Sequence, residues 1–140
     1  EFSDPDLIVL FMGVNDFYRN IPCEYDYESK FDFAGAYYYC LNELLSIYPK
    51  ADIWCMNFPS SYIKGDEEIY GNVNSYGVGK EKYIDAIRDV VEKINNDRIF
   101  LLDLDGLEKY YESNDGLHPN KKGMEELFEI IREAIDKLEY

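Results

Sequence analysis

The chain has 140 residues, 46% of them hydrophobic and 31% charged, a composition that fits one globular domain with a buried core. Its 29 acidic and 14 basic residues give a formal net charge of −15, so nucleic-acid phosphates and anionic membrane surfaces would be repelled. No apolar run approaches the ~18 residues of a membrane span, and no secretion-signal pattern is visible. Nucleic acid is therefore a poor candidate partner and no membrane span is expected, while the localisation, cytoplasmic or secreted, stays unknown.

Three short apolar runs have the character of buried strands. Residues 7–12 are uniformly apolar and are closed by Gly13, and residues 53–56 and 99–102 repeat the pattern. Continuous apolar runs of this length are typical of parallel strands that are covered on both faces. The sequence therefore predicts three buried strands.

Apolar residues at helical spacing occupy the stretches between and after these runs. Helices are expected over residues 33–48, with Asp32 as the N-cap, over 83–94 and over 124–138. The alternation of strands and helices predicts an α/β fold, in which ligands bind at the carboxyl ends of the strands.

Two connections, residues 16–31 and 57–78, are much longer than the ~2–6 residues usual in such folds, and both leave carboxyl strand ends. We interpret them as functional loops or small excursions from the main fold.

The three cysteines, Cys23, Cys40 and Cys55, lack the spacing of a zinc site and cannot all pair with one another. Cys40 lies on the apolar side of a predicted helix and Cys55 in a predicted strand. We interpret them as free thiols that pack as small hydrophobic side chains, with a disulfide as the alternative.

The first predicted strand ends in Gly13-Val14-Asn15-Asp16. This motif places a side-chain amide and a carboxylate at the rim where a ligand would bind. Asn and Asp are also common in turns that follow strands, so the motif alone fits a structural role as well.

The only histidine of the chain lies in Asp115-Gly116-Leu117-His118-Pro119, just before the last predicted helix. An imidazole can accept and return a proton near neutral pH, and a carboxylate three residues earlier can reach the ring nitrogen that faces away from a substrate. The structural alternative is an Asp-Gly turn followed by a proline at a helix start.

Together the two motifs resemble the conserved blocks of the SGNH (GDSL-like) ester hydrolase family. Gly13-Val14-Asn15-Asp16 is similar to its Gly-x-Asn-Asp block, and Asp115-x-x-His118-Pro119 to its closing block, in the same order along the chain. The resemblance implies a flavodoxin-like three-layer αβα fold with a parallel sheet. It also implies that residues 1–140 form the C-terminal part of a single such domain, from which N-terminal strands are missing.

The resemblance assigns a role to each matching residue. It implies that His118 is the general base toward a serine hydroxyl, that Asp115 orients it, and that Asn15 donates to the oxyanion of the tetrahedral intermediate. Gly13 would allow close approach of the backbone, and Asp16 would brace the loop. Neither a metal nor an organic cofactor is implied.

The sequence departs from the family pattern in lacking a Gly-Asp-Ser block, which carries the nucleophile. Its serines do not have the required strand–turn–helix context, although Ser60 and Ser61 follow the second predicted strand. We therefore expect a serine esterase whose nucleophile lies upstream, and we expect the chain alone to be inactive because triad members act as a unit.

The missing region would also leave the first strand without a neighbour. We expect the upstream segment of the same protein, or a second copy of the chain, to cover that strand, and we expect the 140 residues alone to dimerise or aggregate. The expected substrate is a small-molecule or carbohydrate ester. Aromatic residues in the two long connections are candidates for stacking on sugars, with loop packing as the alternative: Tyr18, Tyr25, Tyr27, Phe58, Tyr62, Tyr70 and Tyr76.

Two readings without esterase activity stay open. One is a non-catalytic module that binds a small ligand or carbohydrate on the same fold after loss of the nucleophile. The other is a flavodoxin-like domain that is unrelated to esterases and binds a small ligand at the strand ends.

Overall fold

The computed structural model of the protein describes residues 4–65, 69–70 and 73–138. The elements in chain order are β1 (Leu7–Phe11), α1 (Val14–Tyr18), α2 (Phe33–Ile47), β2 (Asp52–Met56), β3 (Ser60–Ile63), β4 (Ile69–Tyr70), α3 (Glu81–Ile94), β5 (Ile99–Leu102), β6 (Tyr110–Ser113) and α4 (Lys121–Asp136), with a short 3-10 turn at Asp105–Leu107 between β5 and β6.

The first sheet contains the three predicted strands, in the order β1-β2-β5, and all of its pairings are parallel. Ile53 of β2 lies opposite Ile8 of β1 and Ile99 of β5. The predicted α/β class and the parallel sheet of a flavodoxin-like fold are therefore confirmed.

Helices lie on both faces of this sheet. On one face, Ile53 and Cys55 pack with Tyr37 of α2 and Ile84 of α3 in the larger hydrophobic core. On the other face, a smaller core joins Met56 of β2 and Leu102 of β5 to Ile130 and Ala134 of α4, with Trp54 packed against it. The strand residues alternate between the two cores, which gives the three-layer arrangement.

Strand β1 forms an edge of the sheet, as expected for a strand that lacks one neighbour. The prediction that it is covered on both faces is wrong for this chain, because Leu7, Val9 and Phe11 are 41%, 48% and 46% exposed. These three alternate residues share the face on which α4 lies, whereas Ile8 and Leu10 pack against the larger core.

A second sheet, which the sequence analysis did not predict, has the strand order β4-β3-β6. Strand β3 pairs in parallel with β6 and antiparallel with β4. The connection over residues 57–78 is therefore an excursion that supplies two strands to this sheet. Its role is to hold β6, the strand that leads directly into the His118 motif.

The predicted helices are present with small changes at their ends. Asp32 caps α2 as predicted, because its carboxylate accepts the Ala34 amide at 3.0 Å and the Gly35 amide at 3.4 Å. The last helix begins at Lys121, three residues earlier than the first residue of its apolar pattern, and is capped by Asn120, whose side chain accepts the Gly123 amide at 3.0 Å.

All three cysteines are free thiols, with Cys23 and Cys55 buried, so the disulfide alternative is not realised. Burial raises the pKa of Cys55 to about 12, and the nearby Cys40 thiol adds to the shift. Among the residues that the structure describes, no helix has the length and apolar character needed to cross a membrane.

Candidate active site

The Asp115–His118 motif forms a tight turn between β6 and α4. Gly116 adopts a φ of 81°, which confirms the Asp-Gly turn. The Asp115 side chain closes the turn, because its Oδ1 accepts the main-chain amides of Leu117 at 2.9 Å and His118 at 2.8 Å. Its other oxygen, Oδ2, lies 2.7 Å from His118 Nδ1.

This geometry gives a base with an orienting carboxylate. With Nδ1 engaged by Asp115, the free nitrogen of His118 is Nε2, the atom that would take a proton from a nucleophile. The hydrogen bond to the His118 ring is the largest cause that holds the pKa of Asp115 well below its usual range, and the main-chain amides of His118 and Leu117 and the Ser113 hydroxyl add to the shift. Asp115 therefore stays ionised wherever a histidine titrates. Both side chains are accessible, His118 at 76% and Asp115 at 56%.

Three hydroxyl groups hold the carbonyls of this turn. Ser61 Oγ donates to the Gly116 carbonyl, Tyr111 OH donates to the Leu117 carbonyl at 2.7 Å, and Ser113 Oγ contacts the His118 carbonyl at 2.7 Å. All three donors belong to β3 or β6 of the second sheet. The unpredicted sheet thus determines the position of the candidate base.

Helix α4 packs directly against β6 at the base of the turn. A Cβ atom at Gly123 would lie 1.9 Å from the main-chain oxygen of Glu112, so only glycine fits there. Across the same contact, the Asn120 amide donates to the Glu112 carbonyl at 3.1 Å, and the Glu112 amide donates to the Glu126 carboxylate at 2.7 Å.

The Gly13–Asp16 motif is not a turn but the start of the short helix α1. Gly13 has a φ of 120°, and a Cβ atom at this position would lie 3.0 Å from the Phe33 ring and 3.1 Å from the Phe58 ring. Gly13 therefore allows the Phe33 and Phe58 rings to lie close to the backbone between β1 and α1. Asn15 follows in the first turn, where it is exposed, and no described residue hydrogen-bonds its side-chain amide.

Asp16 lies next to Asn15 and is half-buried. Burial raises its pKa, although a main-chain hydrogen bond and Arg19 oppose the shift. Its main-chain oxygen accepts the Ile21 amide at 3.0 Å and so connects α1 to the following loop. No hydrogen bond of its carboxylate to another side chain is present among the described residues, so the predicted bracing role stays a prediction for the side chain.

Asn15 and His118 line one cavity of about 370 Å³ at the carboxyl end of β1, which is where the fold was expected to place its chemistry. The rest of its wall is apolar and is formed by Phe11, Val14, Phe58, Pro59, Tyr111, Leu117, Pro119, Met124 and Leu127. The structure thus brings the two sequence motifs together at a single site.

The serines that the structure describes do not complete this site. Among the described residues, no serine hydroxyl hydrogen-bonds the His118 ring; Ser60 Oγ accepts from Lys80 Nζ and Ser61 holds Gly116. Ser3 lies outside the described residues. The expectation that Ser60 and Ser61 are not the nucleophile agrees with these contacts.

A polar cluster around the buried Asn57, at neighbouring strand ends, was missed by the sequence analysis. Asn57 follows β2 and is fully buried; its amide donates to Asp103 Oδ1 at 2.6 Å, and its oxygen accepts the Leu104 amide at 2.8 Å. Arg88 of α3 donates to the Asp103 carboxylate at 2.7–3.1 Å. The sequence contained a signal for this cluster, because Asn57 and Asp103 come directly after two of the predicted strands. A polar residue near the end of a predicted strand was also the reason for selecting Asn15.

Most aromatic residues of the long connections serve packing. Phe58 is buried, Tyr25 OH donates to the Lys82 carbonyl at 3.1 Å, and Tyr62 OH donates to Glu126 at 3.1 Å. Tyr76 at 78% exposure and Phe31 at 88% are the exceptions. The Tyr70 side chain lies outside the described part of the chain.

Within residues 4–65, 69–70 and 73–138, no group of three or more His, Cys, Asp or Glu side chains has the arrangement of a metal site.

Several solved structures share this fold. A Lactobacillus plantarum protein is 21% identical with a TM-score of 0.78, and the match covers 98% of this chain and 69% of that one. A possible lipase from Chitinophaga pinensis is 14% identical with a TM-score of 0.58, covering 88% and 55%. A family two carbohydrate esterase from Cellvibrio japonicus is 23% identical with a TM-score of 0.56, covering 97% and 35%.

No curated protein matches the chain. The family model for GDSL-like lipases and acylhydrolases matches residues 2–131, which is nearly the whole sequence. The family and its esterase neighbours support ester hydrolysis as the general reaction. The motifs, the fold and this match agree, and the chain belongs to the GDSL-like lipase/acylhydrolase family.

Proposed function

We propose that this chain is the C-terminal part of a single esterase domain that hydrolyses esters by a Ser-His-Asp mechanism, with the serine supplied from outside the chain. The observation that carries the proposal is the 2.7 Å contact between His118 Nδ1 and Asp115 Oδ2, on a cavity that is also lined by the Asn15 amide. Together these residues provide a base, its orienter and a donor for an oxyanion.

In this mechanism His118 Nε2 removes the proton of the serine hydroxyl as the oxygen attacks the ester carbonyl. The carbonyl oxygen becomes an oxyanion, to which the Asn15 amide donates. His118 then returns the proton to the departing alcohol, and a water molecule repeats the sequence to release the acid. Asp115 remains a carboxylate throughout and stabilises the imidazolium.

The nucleophile must reach His118 from the open side of the cavity. That side is continuous with an exposed apolar face, which we call the β1–α4 face and define by Leu7, Val9 and Phe11 of β1 and Met124 and Phe128 of α4. We propose that the upstream segment of the same protein covers this face and carries the serine. The chain spans about two thirds of the Lactobacillus plantarum protein, 69%, which leaves length for such a segment in relatives.

The central test is hydrolysis of p-nitrophenyl acetate by the full-length protein. His118→Ala is expected to lower kcat by at least about 10³-fold, and Asn15→Ala by about 10²–10³-fold. Lys121→Ala, an exposed change in the first turn of α4, serves as the matched control and should retain activity. Undiminished hydrolysis by His118→Ala would overturn the assignment, and a full-length protein that binds esters without turnover would instead favour a binding module.

The covering segment is tested by light scattering on the 140-residue chain and on the full-length protein. We expect the chain alone to self-associate through the β1–α4 face and the full-length protein not to do so. Phe128→Ser should reduce the association of the chain, because that ring is 62% exposed on this face. A monodisperse monomer of the unchanged chain would contradict the proposal, and a full-length protein that dimerises through the same face would identify a second copy as the occupant.

For the substrate we propose an ester of a carbohydrate, with the support coming from the fold shared with the Cellvibrio japonicus carbohydrate esterase. Two described aromatic residues of the long connections are strongly exposed, Phe31 at 88% and Tyr76 at 78%, and both are available for stacking on a sugar. The test compares hydrolysis of acetylated xylo-oligosaccharides with that of p-nitrophenyl acetate. A lower kcat/KM for the sugar esters than for the small ester would count against this substrate class.

A further inference from the structure

Ser113, the last residue of β6, lies at the start of the Asp115–His118 turn and is fully buried at 0% exposure. It begins the turn, and an isolated antiparallel bridge between Ser113 and Pro119 closes the turn at its base. Asp115 and His118 therefore lie in the turn between Ser113 and Pro119. Nothing in the family motifs includes this serine.

The Ser113 hydroxyl has four polar neighbours, all within the turn. It accepts the main-chain amides of Asp115 at 3.3 Å and Gly116 at 3.0 Å. It lies 3.0 Å from Asp115 Oδ1 and 2.7 Å from the His118 carbonyl, the two acceptors available to it. Because a hydroxyl has a single proton and two acceptor lone pairs, all of its hydrogen-bonding capacity is used inside the turn.

We propose that Ser113 is a positioning residue for the catalytic pair, acting through Asp115. Its single proton is shared between Oδ1 of the carboxylate and the His118 carbonyl in a three-centre hydrogen bond, and its oxygen accepts the Asp115 amide, so that Oδ2 faces His118 Nδ1. The role rests on the proposed function of His118 and Asp115. In the structure it amounts to orienting the Asp115 carboxylate toward the His118 imidazole.

The neighbouring hydroxyls provide matched controls. Tyr111 and Ser61 each hold one carbonyl of the same turn. Neither hydrogen-bonds the Asp115 carboxylate, whose described partners are Ser113, the amides of Leu117 and His118, and the His118 ring. Tyr111→Phe therefore removes a hydroxyl from the turn without removing a contact to the carboxylate.

The test uses the single histidine of the chain, which makes a ¹⁵N-histidine NMR spectrum unambiguous, and every variant carries Phe128→Ser, the change expected to reduce self-association. At a pH where the imidazole is neutral, the spectrum gives the ratio of the Nδ1–H to the Nε2–H tautomer. Asp115 selects Nδ1–H by accepting its proton, whereas Asp115→Ala should return the ring to the Nε2–H preference of free imidazole.

We expect Ser113→Ala to lower the Nδ1–H to Nε2–H ratio at least twofold toward the Asp115→Ala value. Ser113→Thr, which keeps the hydroxyl, and Tyr111→Phe should stay near the unchanged chain. A ratio in Ser113→Ala equal to that of the unchanged chain would overturn the proposal, and so would an equal loss in Tyr111→Phe. If Ser113→Ala fails to fold by circular dichroism, Ser113→Cys takes its place, and a ratio equal to that of the unchanged chain in that variant overturns the proposal.

The measurement needs no ester hydrolysis, so it separates this proposal from the proposed function. A full-length protein whose hydrolysis survives His118→Ala would defeat the proposed function, whatever the tautomer ratio. An unchanged ratio in Ser113→Ala would defeat the role of Ser113 and leave the His118 assignment intact. In the full-length enzyme, the same variant should lower kcat about tenfold with little change in KM, because orientation of the base matters in the transition state.

Discussion

Gly123→Ala tests how α4 is docked on β6, and it sets two opposing effects against each other. In an exposed helix, replacing glycine with alanine stabilises by up to about 1 kcal/mol. Here the new Cβ would lie 1.9 Å from the Glu112 main-chain oxygen, and real Cβ contacts essentially never fall below 3.0 Å. The first turn of α4 must therefore move away from β6 by more than an ångström.

That movement weakens the Asn120–Glu112 and Glu112–Glu126 hydrogen bonds, each worth about 1 kcal/mol or somewhat more for the charged acceptor. Overpacking itself typically costs about 1–3 kcal/mol. After subtraction of the gain in helix propensity, we expect a net loss of about 2–4 kcal/mol in the free energy of unfolding, measured by urea denaturation. Lys121→Ala, in the same turn but exposed, should change stability by less than about 0.5 kcal/mol. Equal or greater stability of Gly123→Ala would refute the packing argument.

Two further predictions concern the ends of the strands. Gly13→Ala should lower the free energy of unfolding by about 1–3 kcal/mol in urea denaturation, because Gly13 combines a φ of 120° with the Phe33 and Phe58 rings at 3.0–3.1 Å. Gly77→Ala, which has a φ of 74° but open space around it, is the control and should cost less. Burial alone would raise the pKa of Asp103, but the hydrogen bonds that its carboxylate accepts, chiefly from Arg88, lower this pKa below its usual value. The ionised carboxylate therefore stabilises the fold fully above the unfolded pKa of about 3.9. This stabilisation is lost as the pH falls through the lower pKa of the folded state. The stability advantage over Asp103→Asn should therefore be constant near neutral pH and shrink below about pH 4, and an advantage that is unchanged from pH 6 to pH 3 would contradict it.

The sequence was sufficient for the elements whose residues follow one clear period. The helical spacing over residues 83–94 and 124–138 predicted α3 and α4, and the apolar runs predicted β1, β2 and β5. The two motifs were assigned to one site by their resemblance to the blocks of the family, because Asp115 and His118 follow β6 of the second sheet, which the sequence did not predict. Burial of β1 could not be read from its own residues, since it depends on what lies beside Leu7, Val9 and Phe11.

The second sheet could not be predicted for a related reason. Ser60–Ile63 and Tyr110–Ser113 are four residues long, mix polar and apolar side chains, and pair over a separation of about fifty residues. Short strands of this kind are stabilised by tertiary contacts rather than by local propensity. The role that we propose for Ser113 could not be predicted from the sequence either, because it depends on the contact between its hydroxyl and the Asp115 carboxylate.

The division of the site between two sheets has a consequence for engineering. Asn15 stands on the helix that follows β1 of the first sheet, whereas Asp115 and His118 follow β6 of the second. Changes in β3 or β6 would alter the position of the proposed base while leaving the proposed oxyanion donor in place, and changes around α1 would do the reverse. A library built on this scaffold could therefore vary the two functions separately and recombine the best of each.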